Sequence, residues 1–328
     1  MNLDEVNVSK ELKIIFMGTP EFSAVVLDGL IKKYKVRAVV TQMDREKDRH
    51  GKIIMPPVKT LALDHKILVL QPAKIREAYD ELLALEPDLI ITCAYGQIIP
   101  KEILETPRLG CINVHSSLLP LLRGGAPIER AIMEGHSKTG ITIMYMDEGM
   151  DSGDIIAQEE IAIDPEDTGT SLRMKLADLG RDLLLKTLPS IIDGTNSRTK
   201  QDDSLVTYAP IIKKEDEKLF FNKTKREIKN KIRALNNRPG AYCIYNHEVF
   251  KVWDCYTTDN YFDKHDGEIT ALYPDGFGVK VSNGEVVFTE VQPAGKKRMK
   301  AIDFINGQQD KNSLVGKVLE WKNLKHGH

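Results

Sequence analysis

Lys13-Ile14-Ile15-Phe16-Met17-Gly18-Thr19-Pro20 is an apolar run that ends in a turn. It predicts a buried strand of a parallel sheet. Behind it, Glu21–Lys33 carries Phe22, Val25, Val26, Leu30 and Ile31 at helical spacing, and Val36–Val40 is the next strand. This strand–helix–strand alternation points to an α/β fold with a Rossmann-like, doubly wound, mostly parallel sheet. Gly18-Thr-Pro-Glu-Phe-Ser23 lacks the GxGxxG glycines, which speaks against a dinucleotide. The pattern continues with strands at Lys66–Leu70, Asp88–Cys93, Cys111–Val114, Thr139–Met146 and Ile155–Ile163. Helices are predicted over Val58–Asp64, Ile75–Leu85, Pro127–Glu134 and Ser171–Ile192. The last presents Leu172, Leu176, Leu179, Leu183 and Leu188 on one face, with Thr170 or Ser171 as its cap.

The texture changes after residue 194. Asp193–Gln201 is polar and turn-rich, so a linker is expected over 195–209, between a first domain at 1–194 and a second at 210–328. Lys223–Leu235 reads as a basic helix with Ile228, Ile232 and Leu235 facing inward. Short alternating runs follow at Val249–Cys255, Glu268–Leu272, Gly278–Val281 and Glu285–Val291, a spacing that suggests a small β-barrel.

A chain of 328 residues is long for one core and agrees with two domains. Its 41% apolar and 29% charged content is that of an ordinary soluble protein. The net charge of −2 hides an asymmetry: 25 Lys and Arg against 30 Asp and Glu in residues 1–200, then 21 against 18 in 201–328. Eight of the basic residues fall between Lys218 and Arg238, with Glu227 the only acid among them. That is compatible with a nucleic-acid partner and equally with a solvated helix face. Cys93, Cys111, Cys243 and Cys255 lack CxxC or zinc spacing, and read as reduced packing residues. No metal site is expected. The acidic N-terminus has no apolar leader and no run reaches membrane-spanning length, so a cytoplasmic location without a membrane partner is expected.

The chemistry concentrates in Cys111-Ile-Asn113-Val-His115-Ser-Ser-Leu-Leu-Pro120. Side chains at i and i+2 of a strand share a face, so Asn113 and His115 project together near the strand's end, where open α/β sheets hold their sites. An amide donor and an imidazole suit acyl transfer, in which an oxyanion forms and an attacking amine loses a proton. Spacing alone leaves an equal alternative, a buried histidine satisfied within the fold.

Asn113-Val-His115-Ser-Ser-Leu-Leu-Pro120, then Arg123-Gly-Gly-Ala-Pro-Ile128, resembles the signature of the 10-formyltetrahydrofolate-dependent formyltransferases. Met146-Asp-Glu-Gly-Met-Asp151-Ser-Gly-Asp154 is similar to the family's second motif, which implies Asp151 as its catalytic aspartate. Ile15-Phe-Met-Gly-Thr-Pro20, Thr41-Gln-Met-Asp-Arg45, Met55-Pro-Pro-Val-Lys59 and Gln292-Pro-Ala-Gly-Lys-Lys297 extend the likeness over nearly the whole chain, toward the branch acting on initiator methionyl-tRNA. Departures are small: Ser116 where Gly is common, Gly125 for Ala, Ser152 for Thr, and Leu121-Leu122 where a basic and an aromatic residue often stand.

The resemblance implies an OB-like barrel for 210–328 and a catalytic set of Asn113, His115 and Asp151. It implies formyl transfer from 10-formyltetrahydrofolate, by direct amine attack and without a covalent enzyme intermediate. Folate would lie across Tyr95, Gly96, Gln97 and Ser117, Leu118, Leu119, Pro120. Contacts to tRNA are expected from Arg45 and Lys52 in the 41–57 loop and from Lys223, Lys225, Arg226, Lys229, Lys296 and Lys297. A monomer is expected, because no heptad or apolar edge stands out. Two rivals remain: another formyltransferase or a formyltetrahydrofolate hydrolase on the same triad, and a non-catalytic RNA-binding protein. The three convergent polar groups speak against the second.

Overall fold

Ile14–Gly18 (β1) is buried along its whole length, because a parallel strand lies on each side of it. The computed structural model describes residues 12–45 and 53–321. From β1 the chain runs through α1 (Glu21–Ile31), β2 (Val36–Val40), α2 (Pro57–Asp64), β3 (Leu68–Leu70), α3 (Asp80–Leu83), β4 (Leu89–Cys93), α4 (Lys101–Leu104) and β5 (Cys111–His115). It continues with α5 (Pro127–Met133), β6 (Lys138–Tyr145), β7 (Ile155–Ala162) and α6 (Gly169–Asp193). The seven strands lie in the order β3-β2-β1-β4-β5-β6-β7. Pairs from β3 across to β5 are parallel, whereas β6 runs antiparallel to β5. The chain thus winds to one side through β2 and β3, then crosses back over β1 to β4. Doubly wound sheets bind ligands at such a switch point, beyond the carboxyl ends of the strands.

Two helical expectations need correction. Ile75–Leu85 is not one helix: a 3-10 turn at Ile75–Glu77 is followed by Ala78 at φ −147, and α3 restarts at Asp80. The Ile75 N–H, a first-turn donor with no acceptor inside a helix, is taken by the Gln97 side chain at 2.8 Å. The start of α6 is capped by Thr168, whose hydroxyl accepts from the Ser171 N–H at 3.1 Å, and not by Thr170 or Ser171. The leucine stripe of α6 is core as expected, with Leu172, Leu176, Leu183 and Leu188 buried.

By contact density the chain divides into two units. One takes the chain up to Gly125 with Gly140–Glu160 and Met174–Tyr208; the other takes Ala126–Thr139, Ile161–Arg173 and the chain from Ala209 onward. The second unit holds α7 (Lys225–Ala234), β8 (Ala241–Tyr245), β9 (Glu248–Thr258), β10 (Ile269–Leu272), β11 (Phe277–Val281), β12 (Gly284–Gln292), β13 (Met299–Lys300) and α8 (Ala301–Asn306). Its strands pair antiparallel in the order β10-β11-β12-β9-β8, with β13 on β12. Residues 316–320 close the sheet into a barrel. Ile244 of β8 exchanges both backbone bonds with Glu320, while Ile269 and Gly267 bond to Lys317 and Leu319 on the other side. The strand β8, absent from the sequence expectation, pairs along its length with β9 through the tight turn Asn246-His247, both residues left-handed at φ 51 and 65. Phe221, Phe250, Phe277 and Phe288 fill the interior.

Candidate active site

Asn113 and His115 occupy the last turns of β5, between β4 and β6. The Thr92 hydroxyl, from the neighbouring position on β4, donates to Asn113 Oδ1 at 2.9 Å. The amide is thereby oriented with its Nδ2 donor turned away from β4. Among the described residues that Nδ2 has no hydrogen-bond partner. His115 is buried, and its Nε2 lies 3.1 Å from the Leu122 carbonyl, which can only accept. That contact assigns a proton to Nε2 and leaves Nδ1 for chemistry. Nδ1 faces Asp151 Oδ1 at 3.7 Å, close enough for a charge interaction and longer than a hydrogen bond. The other carboxylate oxygen, Asp151 Oδ2, accepts the Gly124 N–H at 2.8 Å.

Three loops meet around this set, each with a non-glycine residue in the left-handed region: Ala94 (φ 48), Leu122 (φ 59) and Asp151 (φ 50). Each such residue costs roughly 1–2 kcal/mol and persists only where its surroundings hold it. Gly153 must be glycine, because an added Cβ would stand 1.9 Å from the Tyr145 carbonyl oxygen. The turn after Asp151 is thereby pressed against the end of β6.

The expected folate residues divide by environment. Tyr95 sends its ring into an apolar cluster with Ile15, Met17 and Ile90. Its buried hydroxyl has no partner among the described residues, and burial pushes its pKa up to about 12. Tyr95 therefore offers the site its backbone, and its carbonyl accepts from Thr19 Oγ1 and Gln42 Nε2, both at 3.0 Å. Gly96 is exposed at φ 89, a conformation that suits glycine. Gln97 is half-buried and reaches the Ile75 N–H and Gln42 Oε1. Thr19, Gln42, Tyr95 and Gln97 thus form one polar network at the switch point; Gln42 was not singled out from the sequence.

On the β5 side, Ser117 is buried and donates to the Leu121 carbonyl at 2.6 Å. Both backbone polar groups of Leu119 are taken, the N–H by Thr142 Oγ1 at 3.1 Å and the carbonyl by Gln158 Nε2 at 2.8 Å. Leu118 and Pro120 are half-buried. The Ser117–Pro120 loop thus has its carbonyls and the Leu119 N–H engaged within the protein. Exposed Ala94, Gly96 and Ile98 on one loop and Met150 on another form the open rim.

The expected tRNA residues are scattered. Arg45 is exposed, with its backbone bridged to Ile54; Lys52 lies outside the described residues. On α7 most cations have partners inside the second unit. Lys225 pairs with Asp259, Lys229 reaches Glu166 at 2.8 Å, and Arg226 donates to the Gly135 carbonyl at 3.2 Å. Lys223 lies 3.6 Å from Glu227. Lys296 and Lys297 are exposed, and their ammonium groups have no partner among the described residues. Burial pushes the Cys93 and Cys111 thiols up to about 12, so they are unreactive packing groups. Among the described residues no cluster of His, Cys, Asp and Glu could hold a metal, and no helix is long and apolar enough to cross a membrane.

Two family models match the chain: Formyl transferase over residues 12–188, and Formyl transferase, C-terminal domain, over 211–309. The methionyl-tRNA formyltransferase of Bacillus licheniformis is 50% identical over 299 residues, covering 90% of this chain and 95% of that protein. The methionyl-tRNA formyltransferase of Staphylococcus epidermidis is 47% identical over 309 residues, covering 94% and 99%. Among solved structures, an N-formyltransferase from Helicobacter canadensis, in complex with folinic acid and dTDP-3-aminofucose, shares the fold at a TM-score of 0.65. It is 21% identical, and the match covers 86% of this chain and 99% of that one.

Proposed function

The chain belongs to the formyl transferase family, and from that premise we propose that it formylates the α-amine of initiator methionyl-tRNA with 10-formyltetrahydrofolate as donor. The observation that carries the reading is the convergence of Asn113, His115 and Asp151 beyond β5, with an uncommitted amide donor and an imidazole nitrogen left facing a carboxylate.

The amine attacks the formyl carbon, a C–N bond forms and the carbonyl oxygen becomes an oxyanion. Asn113 Nδ2 donates to that oxygen. His115, in its imidazolium form, adds its charge and the Nδ1 proton, since the Nε2 proton is occupied by Leu122. Donors placed in advance at a developing charge stabilise the transition state more than the substrate. Asp151 steadies the imidazolium and, through water, carries the proton lost by the attacking nitrogen toward the leaving N10. The intermediate collapses by breaking the bond to N10. No side chain becomes covalently attached.

We place the pterin against the 94–98 loop and the 147–151 loop, with Tyr95–Gln97 offering backbone and amide groups and Ser117–Pro120 serving as the wall. Residues 1–194 form the catalytic part of this reading and 210–328 the part that docks tRNA, joined through 195–209. Arg45, Lys52, Lys223, Lys225, Arg226, Lys229, Lys296 and Lys297 are the proposed tRNA contacts, and the enzyme acts as a cytoplasmic monomer.

The test is formyl transfer from labelled 10-formyltetrahydrofolate to charged initiator methionyl-tRNA, by wild type and His115→Ala. Uncharged tRNA, glycinamide ribonucleotide and water serve as competing acceptors. Transfer to the charged tRNA alone, lost in the variant, is the expected result. Folate turnover without formylated tRNA overturns the substrate assignment in favour of a hydrolase or of a formyltransferase with another acceptor.

A further inference from the structure

Gln201 lies in the stretch whose sequence reads as a linker, yet it is buried and all of its amide hydrogen-bonding capacity is directed at the site. Its Oε1 accepts from Arg123 Nε at 3.0 Å and Nη2 at 2.8 Å. Its Nε2 donates to the carbonyls of Asp151 and Gly153, each at 2.8 Å. A primary amide has two N–H donors, and here both hold the turn that carries the catalytic carboxylate. Arg123 is itself buried and follows Leu122, the residue whose carbonyl receives His115 Nε2. Thr207, further along the same stretch, grips that loop too: its hydroxyl accepts from the Leu122 N–H at 2.8 Å and its carbonyl from the Arg123 N–H at 2.9 Å. Asp151 has a left-handed backbone, a conformation that neighbouring contacts must maintain.

We infer that Gln201 is a positioning residue: its amide clamps the Asp151–Gly153 turn to Arg123 and so sets the Asp151 carboxylate opposite Nδ1 of His115. The inference rests on the proposed roles of His115 and Asp151. Gln201 touches no reacting atom and acts through Asp151. A glutamate of the same shape keeps the Arg123 contact but turns one acceptor oxygen toward two carbonyls, while methionine removes all four bonds.

The experiment compares wild type, Gln201→Met, Gln201→Glu, Asp151→Asn and the double variant Gln201→Met with Asp151→Asn. It measures kcat, KM for folate and for methionyl-tRNA, and thermal midpoint. Both Gln201 variants are expected to lose about 10- to 100-fold in kcat, the scale of a misplaced catalytic group, with each KM within about 3-fold. In the Asp151→Asn background Gln201→Met is expected to cost nothing more, because residues acting as one unit are not additive. Undiminished kcat in Gln201→Glu overturns the inference. So does a full additional loss in the double variant, which marks a general structural role. Should Gln201→Met not fold, Gln201→Glu alone and paired with Asp151→Asn decides by the same criteria. A wild type that moves no formyl group to methionyl-tRNA instead fails the substrate reading. The clamp is then judged from the ¹⁵N resonances of the His115 imidazole, which shift in Gln201→Glu if it operates and stay in place if it does not.

Discussion

Asn113 is held by one hydroxyl on its acceptor side and, among the described residues, left open on its donor side, and that asymmetry makes it useful. Removing an oxyanion donor typically lowers turnover by about 10²–10³-fold with little change in ground-state binding. Asn113→Ala should therefore lose kcat on that scale, while KM for 10-formyltetrahydrofolate stays within about 3-fold. Single-turnover transfer of labelled formyl group reads this directly; a rise in KM alone would assign Asn113 to binding. Thr92 is the residue that turns the amide. Thr92→Val deletes the hydroxyl at nearly constant volume, and should reproduce part of the Asn113→Ala defect, with Thr92→Ser restoring activity. His115 differs from an ordinary buried histidine in a single respect. One nitrogen is satisfied by a carbonyl, and the other, among the described residues, has only a carboxylate at charge-interaction distance.

At the scale of elements, α7 and the barrel seam show where the second unit gets its order. Thr224 caps α7 reciprocally: its hydroxyl accepts from the Glu227 N–H at 3.2 Å while Glu227 accepts from the Thr224 N–H at 2.8 Å. Such a box stabilises a helix start by about 1 kcal/mol. Thr224→Ala should lower unfolding stability by about that amount without touching kcat, as urea titration followed by circular dichroism would show. The seam at 316–320 is held by backbone bonds on both sides and by the buried Leu319. Leu319→Ala should cost about 2–5 kcal/mol, the range for truncating a buried leucine. A cost under 1 kcal/mol would mean the barrel holds without its closing segment.

For the whole molecule, the pairing of the basic residues predicts how strongly each of the proposed contacts counts in RNA docking. Lys225 and Lys229 have carboxylate partners within their own unit, with which RNA must compete, so alanine there should raise KM for tRNA less than alanine at Lys296 and Lys297 does. Lys296 and Lys297 are exposed and uncommitted among the described residues. Replacing both by alanine should raise KM for tRNA severalfold, leave kcat alone and flatten its dependence on salt by about two counterions. A collapse of kcat would place them in the fold or the site instead. Acid should weaken both units. The Lys59 ammonium holds Asp44 below the usual carboxylate range; the Lys213 N–H does the same for Asp216, and the Thr224 N–H for Glu227. A carboxyl whose folded pKa lies below its unfolded value contributes stability above about pH 4, and that contribution is lost as pH falls through the folded value. The thermal midpoint should hold near neutrality and decline from about pH 5 downward.

Periodicity was enough to read most of the framework. Val36–Val40 and the leucine face of α6 are local patterns, because each records which side of a short segment is buried. The Asn113–His115 pair was legible for the same reason, since two residues one pleat apart on a strand must share a face. Asp151 entered through a resemblance of motifs, since no spacing rule links it to a strand that ends 36 residues earlier. Other features needed the fold. The Gln97 side chain that takes the Ile75 N–H comes from another loop, and the barrel closes through residues 316–320, which return to Ile244 on one side and to Gly267 and Ile269 on the other. The stretch 195–209 reads as a polar linker, yet Gln201 within it is buried and bridges Arg123 and Asp151, 78 and 50 residues away in sequence. The sequence shows a basic stretch at 223–235, while the acids that pair with Lys229 and Lys225 lie at Glu166 and Asp259. Sequence by itself determined which segments bury an apolar face; tertiary structure decided which polar groups meet. Hydrophobic burial is written in nearest neighbours along the chain, whereas a hydrogen bond is satisfied by whatever the folded path brings within 3 Å.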